Sequence, residues 1–436
     1  MELIKIDEVT WLSSGSDHVA GASVEVPVPG SAREEWWVAI SGWVVGRSEP
    51  VTTIDVVQQD VRVASAPVEI VREDVADAHT GLPGAERAGF NMRIGGAWLP
   101  ENFTLRLEAG FANGHRVPLA LIAGRRAPLQ AAPAEGALAP ISVTALPRSG
   151  ATLVMQMLAA HPEVVVAGAY PYSARPASYW MQLLRVLSAP ADLRHSAHPD
   201  TFDRDLNWVG SHPFNGPPLT DAPDVGGWFG REYVSRLTEF ATGSANELYA
   251  CIAASRGMSG PRFYAEKQDP GAIARLTAAV HPCGREILVV RDFRDMACSM
   301  LAFAETAPRP GSPGGEELIP SLVSALARLV AYAQERGTAT LVVRYEDLIE
   351  RPADTLEQIL AHAELRRDRR LLRTIVGQST ADTPQLAAHR TSPTAAASVG
   401  RYIQDMDGEL LALAEESFGP ALVAFGYTSA PSLAMA

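Results

Sequence analysis

The chain has 436 residues, 47% of them hydrophobic and 20% charged, with a formal charge of −13. At roughly 150 residues per domain that length argues for two or three domains, and the apolar content excludes global disorder. The acidic balance excludes a nonspecific nucleic-acid or acidic-membrane binder, because such partners need a broad basic surface.

Of 37 cationic residues only two are lysine, Lys5 and Lys267, so any lysine-dependent motif can be tested at two positions. Lys5 follows Ile4 and Lys267 follows Glu266, so the Gly-Lys phosphate loop of ATPases and GTPases is absent, which argues against a third reading, an unrelated P-loop kinase. The three cysteines, Cys251, Cys283 and Cys298, form no CxxC pair and no even disulfide framework. With no secretory pattern at the start and no apolar run of about 18 residues, a cytoplasmic protein without a membrane span is expected. His195 and His198 form an HxxH pair with no cysteine cluster beside it, and no metal is expected.

Residues 1–125 read as a β-rich, sandwich-like accessory domain. The segments Trp37–Val45, Thr52–Val57, Phe90–Ile94, Phe103–Ala109 and Val117–Ile122 are β-branched and aromatic, and are separated by turn signals such as Gly95-Gly96 and Asn113-Gly114. Trp11, Trp36, Trp37, Trp43 and Trp98 lie here, either as core or as a carbohydrate platform, with packing the simpler account. Residues 126–139 are Pro/Ala/Gly-rich and read as a linker.

From 140 to 436 the pattern changes to α/β. Apolar runs at Ile141–Leu146, Val164–Ala167, Ile287–Val290 and Leu341–Val343 read as buried parallel strands, and helical patterns at Thr152–Ala160, Ala272–Val280, Leu318–Ala333 and Thr355–Ala363 alternate with them. Ligands of such sheets sit at the carboxyl ends of strands. The first strand runs into Pro147-Arg148-Ser149-Gly150-Ala151-Thr152 and then a helix, so free backbone N–H groups, a helix N-terminus, the Arg148 cation and the Thr152 hydroxyl converge. An ordinary strand-to-helix turn is the plainer alternative. Arg291 ends the third of these strands and Ser299 follows eight positions later in a helix, a second anion site or else an Arg/Asp network with Asp292, Arg294 and Asp295. Two anion sites at two strand ends ask for a ligand with two separated phosphate-like groups.

Four segments in order then resemble the sulfotransferases that use 3′-phosphoadenosine 5′-phosphosulfate (PAPS). Leu146-Pro147-Arg148-Ser149-Gly150-Ala151-Thr152-Leu153 resembles their 5′-phosphosulfate loop, and Val290-Arg291-Asp292-Phe293-Arg294-Asp295 with Ser299 resembles their 3′-phosphate site. Arg344-Tyr345-Glu346-Asp347-Leu348 is similar to the segment whose tyrosine lies by the adenine, while Arg390-Thr391-Ser392 and Ser398-Val399-Gly400-Arg401-Tyr402 are similar to the segment that closes over the nucleotide. The resemblance covers residues 140–428 and implies a P-loop-like sulfotransferase fold, a parallel β-sheet flanked by helices. It implies PAPS as donor, held by Arg148, Ser149, Gly150, Ala151, Thr152, Leu153, Arg291, Ser299, Tyr345, Arg390 and Arg401, with no metal needed. It also implies sulfuryl transfer to a hydroxyl of a carbohydrate or small-molecule acceptor; homo-oligomerisation is left open.

Two departures stand out. Ala151 replaces the first of two threonines usual after Ser-Gly, and Ala169 sits where bacterial relatives often carry a glutamate base. His195, His198, His212 and Glu266 are then the candidate bases, His212 being either a base or a plain loop histidine; Arg148 is an electrostatic catalytic group, and Lys267 either contacts the sulfuryl oxygens or forms a salt bridge. Residues 170–232 are expected to form the acceptor wall through Tyr170, Tyr172, Tyr179, Trp180, Trp208, His212, Phe214, Trp228 and Phe229, or else an inward-packed helical lid. The competing reading is a non-catalytic PAPS or PAP binder that has lost its base and uses the β-domain for interaction.

Overall fold

The computed structural model describes residues 2–12, 17–59, 61–129, 136–189, 223–306, 315–380 and 390–428. By density of contacts the chain divides into two compact units, residues 1–132 with 181–242, and residues 133–180 with 243–436. Among the described residues no helix is long and apolar enough to cross a membrane.

Among its described residues the first unit has nine strands: β1 Ile4–Trp11, β2 Val19–Val26, β3 Ala32–Arg33, β4 Trp37–Gly46, β5 Val51–Gln58, β6 Val61–Pro67, β7 Gly89–Gly95, β8 Asn102–Phe111 and β9 Arg116–Arg126. They form an antiparallel six-stranded sheet ordered β3-β1-β9-β8-β5-β6 and a three-stranded antiparallel sheet ordered β2-β4-β7. The five strands expected from the sequence are present. The four extra ones carry weak apolar signals: in β1 only Ile4 and Ile6 are buried, and the outer half, Glu8 to Trp11, is not. Alternation is clear in β8, where Phe103, Leu105 and Leu107 are buried between more exposed neighbours. Asn113-Gly114 closes the β8–β9 hairpin, with Gly114 at φ +86°. Trp36, Trp37 and Trp98 are buried and Trp11 is exposed, so most of the tryptophans serve the core. In the same unit lie the helix α1 Glu73–Ala78 and the helix Pro223–Gly230, whose Gly230 carbonyl accepts from the Trp36 N–H.

The second unit holds a fully parallel five-stranded sheet. Its strands are β10 Ala139–Ala145, β11 Val164–Val166, β12 Phe263–Gln268, β13 Arg285–Val290 and β14 Thr340–Arg344, in the spatial order β11-β12-β10-β13-β14. After β10 the chain builds one side of the sheet and then the other, which leaves the carboxyl end of central β10 at the switch point. The side chains of β13 divide between two cores. Ile287 and Val289 join β10, the helix α2 Ala151–Ala159 and the helix Pro352–His362, while Leu288 and Val290 pack under Phe293–Thr306, Gly315–Arg336 and Gly408–Ala424. Burial on both faces explains why these strands read as continuous apolar runs.

β12 runs on past its apolar start, Phe263–Ala265, through the polar Glu266-Lys267-Gln268. Glu266 and Lys267 therefore lie inside it and point to opposite sides. Glu266 is 2% exposed and accepts from the Ala177 N–H (2.6 Å), the Ser178 N–H (2.9 Å), the Ser178 hydroxyl (2.8 Å) and the Tyr249 hydroxyl (2.7 Å). Burial pushes its carboxyl up, opposed by those hydrogen bonds. A carboxylate so engaged holds the start of the helix Pro176–Ser188 to the sheet, which replaces the expectation that Glu266 acts as a base. Glu266→Gln keeps the volume but turns one acceptor into a donor against four donors. We expect a loss of about 1–3 kcal/mol in urea unfolding; unchanged stability combined with abolished turnover would restore Glu266 as a catalytic candidate.

Candidate functional site

At the carboxyl ends of β10, β12 and β13 lies a cavity of about 380 Å³, wholly within the second unit. Its floor is the turn between β10 and α2. Arg148 has φ +67° and Gly150 φ +96°, so the backbone passes twice through the left-handed region. Gly150 is required twice over: a Cβ there would lie 2.4 Å from Cδ2 of Tyr345. The turn aims the N-terminus of α2 at the cavity, and no side chain caps that helix.

Arg148, Gly150, Ala151, Thr152 and Leu153 all line the cavity. Ser149 does not; it is 1% exposed and its hydroxyl faces the Met296 sulfur at 3.6 Å. The Arg148 guanidinium donates to Ser299 Oγ at 3.0 Å and lies over the Phe303 ring at 4.9 Å. Burial, reinforced by the nearby Arg291 charge, draws the Arg148 pKa below its ordinary value. Ser299 Oγ and Thr391 Oγ1 are 3.0 Å apart, and Arg401 Nη1 donates to the same Thr391 oxygen at 3.0 Å. Residues from the first turn, the helix after β13 and the chain near the C-terminus thus meet at one point.

Arg291 is 4% exposed and stacks over Tyr345, its guanidinium carbon 4.7 Å from the ring centroid. Its Nη1 donates to the Arg148 carbonyl (3.3 Å) and its Nη2 to the Ser398 carbonyl (2.5 Å), whereas its Nε is buried without a hydrogen-bond partner among the described residues. Tyr345 shares a hydrogen bond of 2.9 Å with Ser398 Oγ. Buried Asp295 accepts from the Gly400 and Tyr402 N–H groups at 2.7 and 2.9 Å, and burial raises its pKa to about 6. The 398–402 segment is pinned to the sheet unit in this way. Arg390 lines the cavity as well.

Lys267 enters from β12 and donates to Thr152 Oγ1 at 3.0 Å. Burial, with a smaller push from Arg175, lowers its pKa to about 8. Among the described residues five cations line the cavity, Arg148, Arg175, Lys267, Arg291 and Arg390, against one carboxylate, Asp269. The local charge is opposite to that of the chain as a whole. Among the described residues no group of three His, Cys, Asp or Glu side chains could hold a metal ion.

The acceptor-wall candidates separate. Tyr170 lines the cavity, and burial raises its pKa against the pull of Arg148. Tyr172, with its ring 6.1 Å from that of Tyr170, packs on the apolar core instead of lining the cavity. Trp180 packs with Leu138, Val165 and Tyr249, so it too is core. Trp228 is 36% exposed and lies 5.4 Å from the Tyr233 ring in the other unit. His195, His198, Trp208, His212 and Phe214 lie outside the described residues. Ala169 is exposed in the turn before Tyr170.

Sequence reasoning missed Arg175 and Asp269. The polar Glu-Lys-Gln end of β12 ended the apolar signal early, so Asp269, just beyond the true strand end, was not sought. Arg175 sits among the aromatic residues that drew attention to the 170–232 segment.

A family model described as the sulfotransferase family matches residues 140–369, just over half of the chain. No curated protein matched the sequence. Among solved structures, the sulfotransferase domain from the curacin biosynthetic pathway is 15% identical, with 67% of this chain and 98% of that one covered at a TM-score of 0.34. A mouse sulfotransferase, SULT7A1, complexed with PAP is 11% identical, covering 68% of this chain and 90% of that one at 0.38. Sulfotransferase STF9 from Mycobacterium avium is 15% identical, covering 67% and 78% at 0.35. These superpositions are loose, and the assignment rests on the family match over a parallel sheet whose strand ends carry the cationic cavity: the chain belongs to the sulfotransferase family.

Proposed function

We propose that the protein transfers a sulfuryl group from PAPS to a hydroxyl of a carbohydrate or other small molecule, releasing PAP and a sulfate ester. The observation that carries this reading is the buried Arg291, whose Nε has no hydrogen-bond partner among the described residues and whose terminal nitrogens rest on two backbone carbonyls. A desolvated guanidinium whose hydrogen bonds go to neutral carbonyls favours an anion. With Ser299 and Arg401 nearby, it suits the 3′-phosphate of the donor. The α2 N-terminus, Arg148, Thr152 and Lys267 form a second cationic locus, suited to the 5′-phosphosulfate, and Tyr345 is available to the base. Together these residues supply cations and hydrogen-bond donors for both anionic groups of that donor.

In the transfer, negative charge grows on the oxygen that leaves with PAP. Arg148, the Thr152 hydroxyl and the Lys267 ammonium would stabilise that charge from fixed positions, which lowers the barrier without reorganisation at the moment of reaction. Arg148 acts only electrostatically, since a guanidinium stays protonated.

PAP should raise the melting temperature, because a ligand that binds only the folded state stabilises it by about 2.7 kcal/mol at a hundred times its Kd. Arg291→Ala should weaken PAP by about 2–5 kcal/mol, most of the cost coming from a buried anion left unpaired; no shift with millimolar PAP in the unaltered protein would remove the donor assignment.

Lys267 supplies a pH test. With its pKa drawn down to about 8, the ammonium form that attracts an anion is lost as pH rises through that value. A bound anion pulls the pKa back up, so binding above about pH 8 takes up a proton. PAP affinity should be flat below about pH 8 and fall above it. Titration calorimetry in buffers of different ionisation enthalpy should show proton uptake there, and Lys267→Met should abolish both effects.

A further inference from the structure

Transfer to an alcohol requires that the hydroxyl proton leave as the oxygen attacks, and the turn in which relatives often carry a glutamate holds Ala169. Among the described residues one carboxylate lines the cavity, that of Asp269. It follows β12 directly. β12 lies parallel to β10 with Gln268 opposite Thr144, so Asp269 stands beside the point where β10 enters the Arg148 turn. Lys267, Gln268 and Asp269, at the end of β12 and just past it, all line the cavity, whereas the buried Glu266 before them does not. Arg175 Nη1 donates to Asp269 Oδ2 at 2.9 Å, and Arg175 lines the cavity too. One carboxylate oxygen is thereby held, and the other is available to a substrate hydroxyl.

We propose that Asp269 is the general base of this site and Arg175 its positioning residue, an inference that rests on the sulfotransferase reading above. The acceptor O–H donates to Asp269 Oδ1. As the acceptor oxygen forms its bond to sulfur, the proton passes to Oδ1, and the bond between sulfur and the 5′-phosphate oxygen breaks with its electron pair staying on PAP. The products are a sulfate ester, PAP and a protonated Asp269 that returns its proton to solvent, so no oxidant or metal enters the balance. The cationic lining reduces the cost of negative charge on the acceptor oxygen, which lets a carboxylate suffice as base.

Radiolabelled PAPS is supplied with three acceptors: 4-nitrophenol, which is largely ionised in mildly alkaline buffer, phenol, and methyl glucoside. Asp269→Asn should slow transfer to phenol and the glucoside by about 10²–10⁴-fold, and to 4-nitrophenol by less than about tenfold, because an ionised acceptor has no proton to give. Asp269→Glu should recover a large part of the loss, and Asp269→Asn should keep the PAP melting shift. Equal loss on all three acceptors, no loss on any, or a wild-type protein that binds PAP yet transfers to none of them would overturn the assignment. A wild-type protein that fails to bind PAP would instead bring down the donor reading on which it stands.

Discussion

The turn from β10 into α2 is the constraint on which the cavity depends. A non-glycine residue at φ +67° and a glycine at φ +96° within three positions cost backbone energy, of order 1–2 kcal/mol at Arg148. That cost is offset by what the turn arranges. It directs the Arg148 guanidinium across to Ser299 and Thr391, opens the N-terminus of α2, and lets the Tyr345 ring close over Gly150. Straightening the turn would break all three relations together.

Around that turn the sheet unit separates structural from reactive polar groups by simple alternation. In β12, Glu266 points into a set of four donors and fastens a helix, while its neighbour Lys267 points into the cavity and meets Thr152. Both are partly or wholly desolvated, with opposite consequences. The carboxylate has partners enough to remain a fixed structural acceptor. The ammonium has one hydroxyl partner and a pKa drawn down to about 8, and so remains responsive to an incoming anion.

The same division governs the cations. Arg294 is closed on Asp292 and Glu415, and Arg336 on Glu286, as ion pairs that tie helices to the sheet. Arg291, one residue before Asp292, and Arg148, in the turn after β10, rest mainly on carbonyls and hydroxyls. A net charge of −13 is thus compatible with an anion-seeking cavity, because carboxylates neutralise the structural arginines and are nearly absent from the cavity wall.

The sequence by itself determined the α/β character of the second unit, the order of its motifs and most of the cationic wall. Buried parallel strands leave continuous apolar runs, and Arg148, Gly150, Thr152, Arg291, Ser299 and Tyr345 sit at the ends of those runs or just beyond them. It also marked the β-rich first unit, though not its weaker strands, whose burial is confined to a few residues each. Only the tertiary structure decided the rest. Which of Glu266 and Lys267 faces the cavity depends on strand register, and Asp269 became visible only once β12 was seen to extend through its polar end. Ser149, Tyr172 and Trp180 read as site residues by type, yet packing turns them inward. Residue type records chemistry, whereas direction is set by neighbours far away in sequence, and direction separates a side chain in the cavity from one in the core.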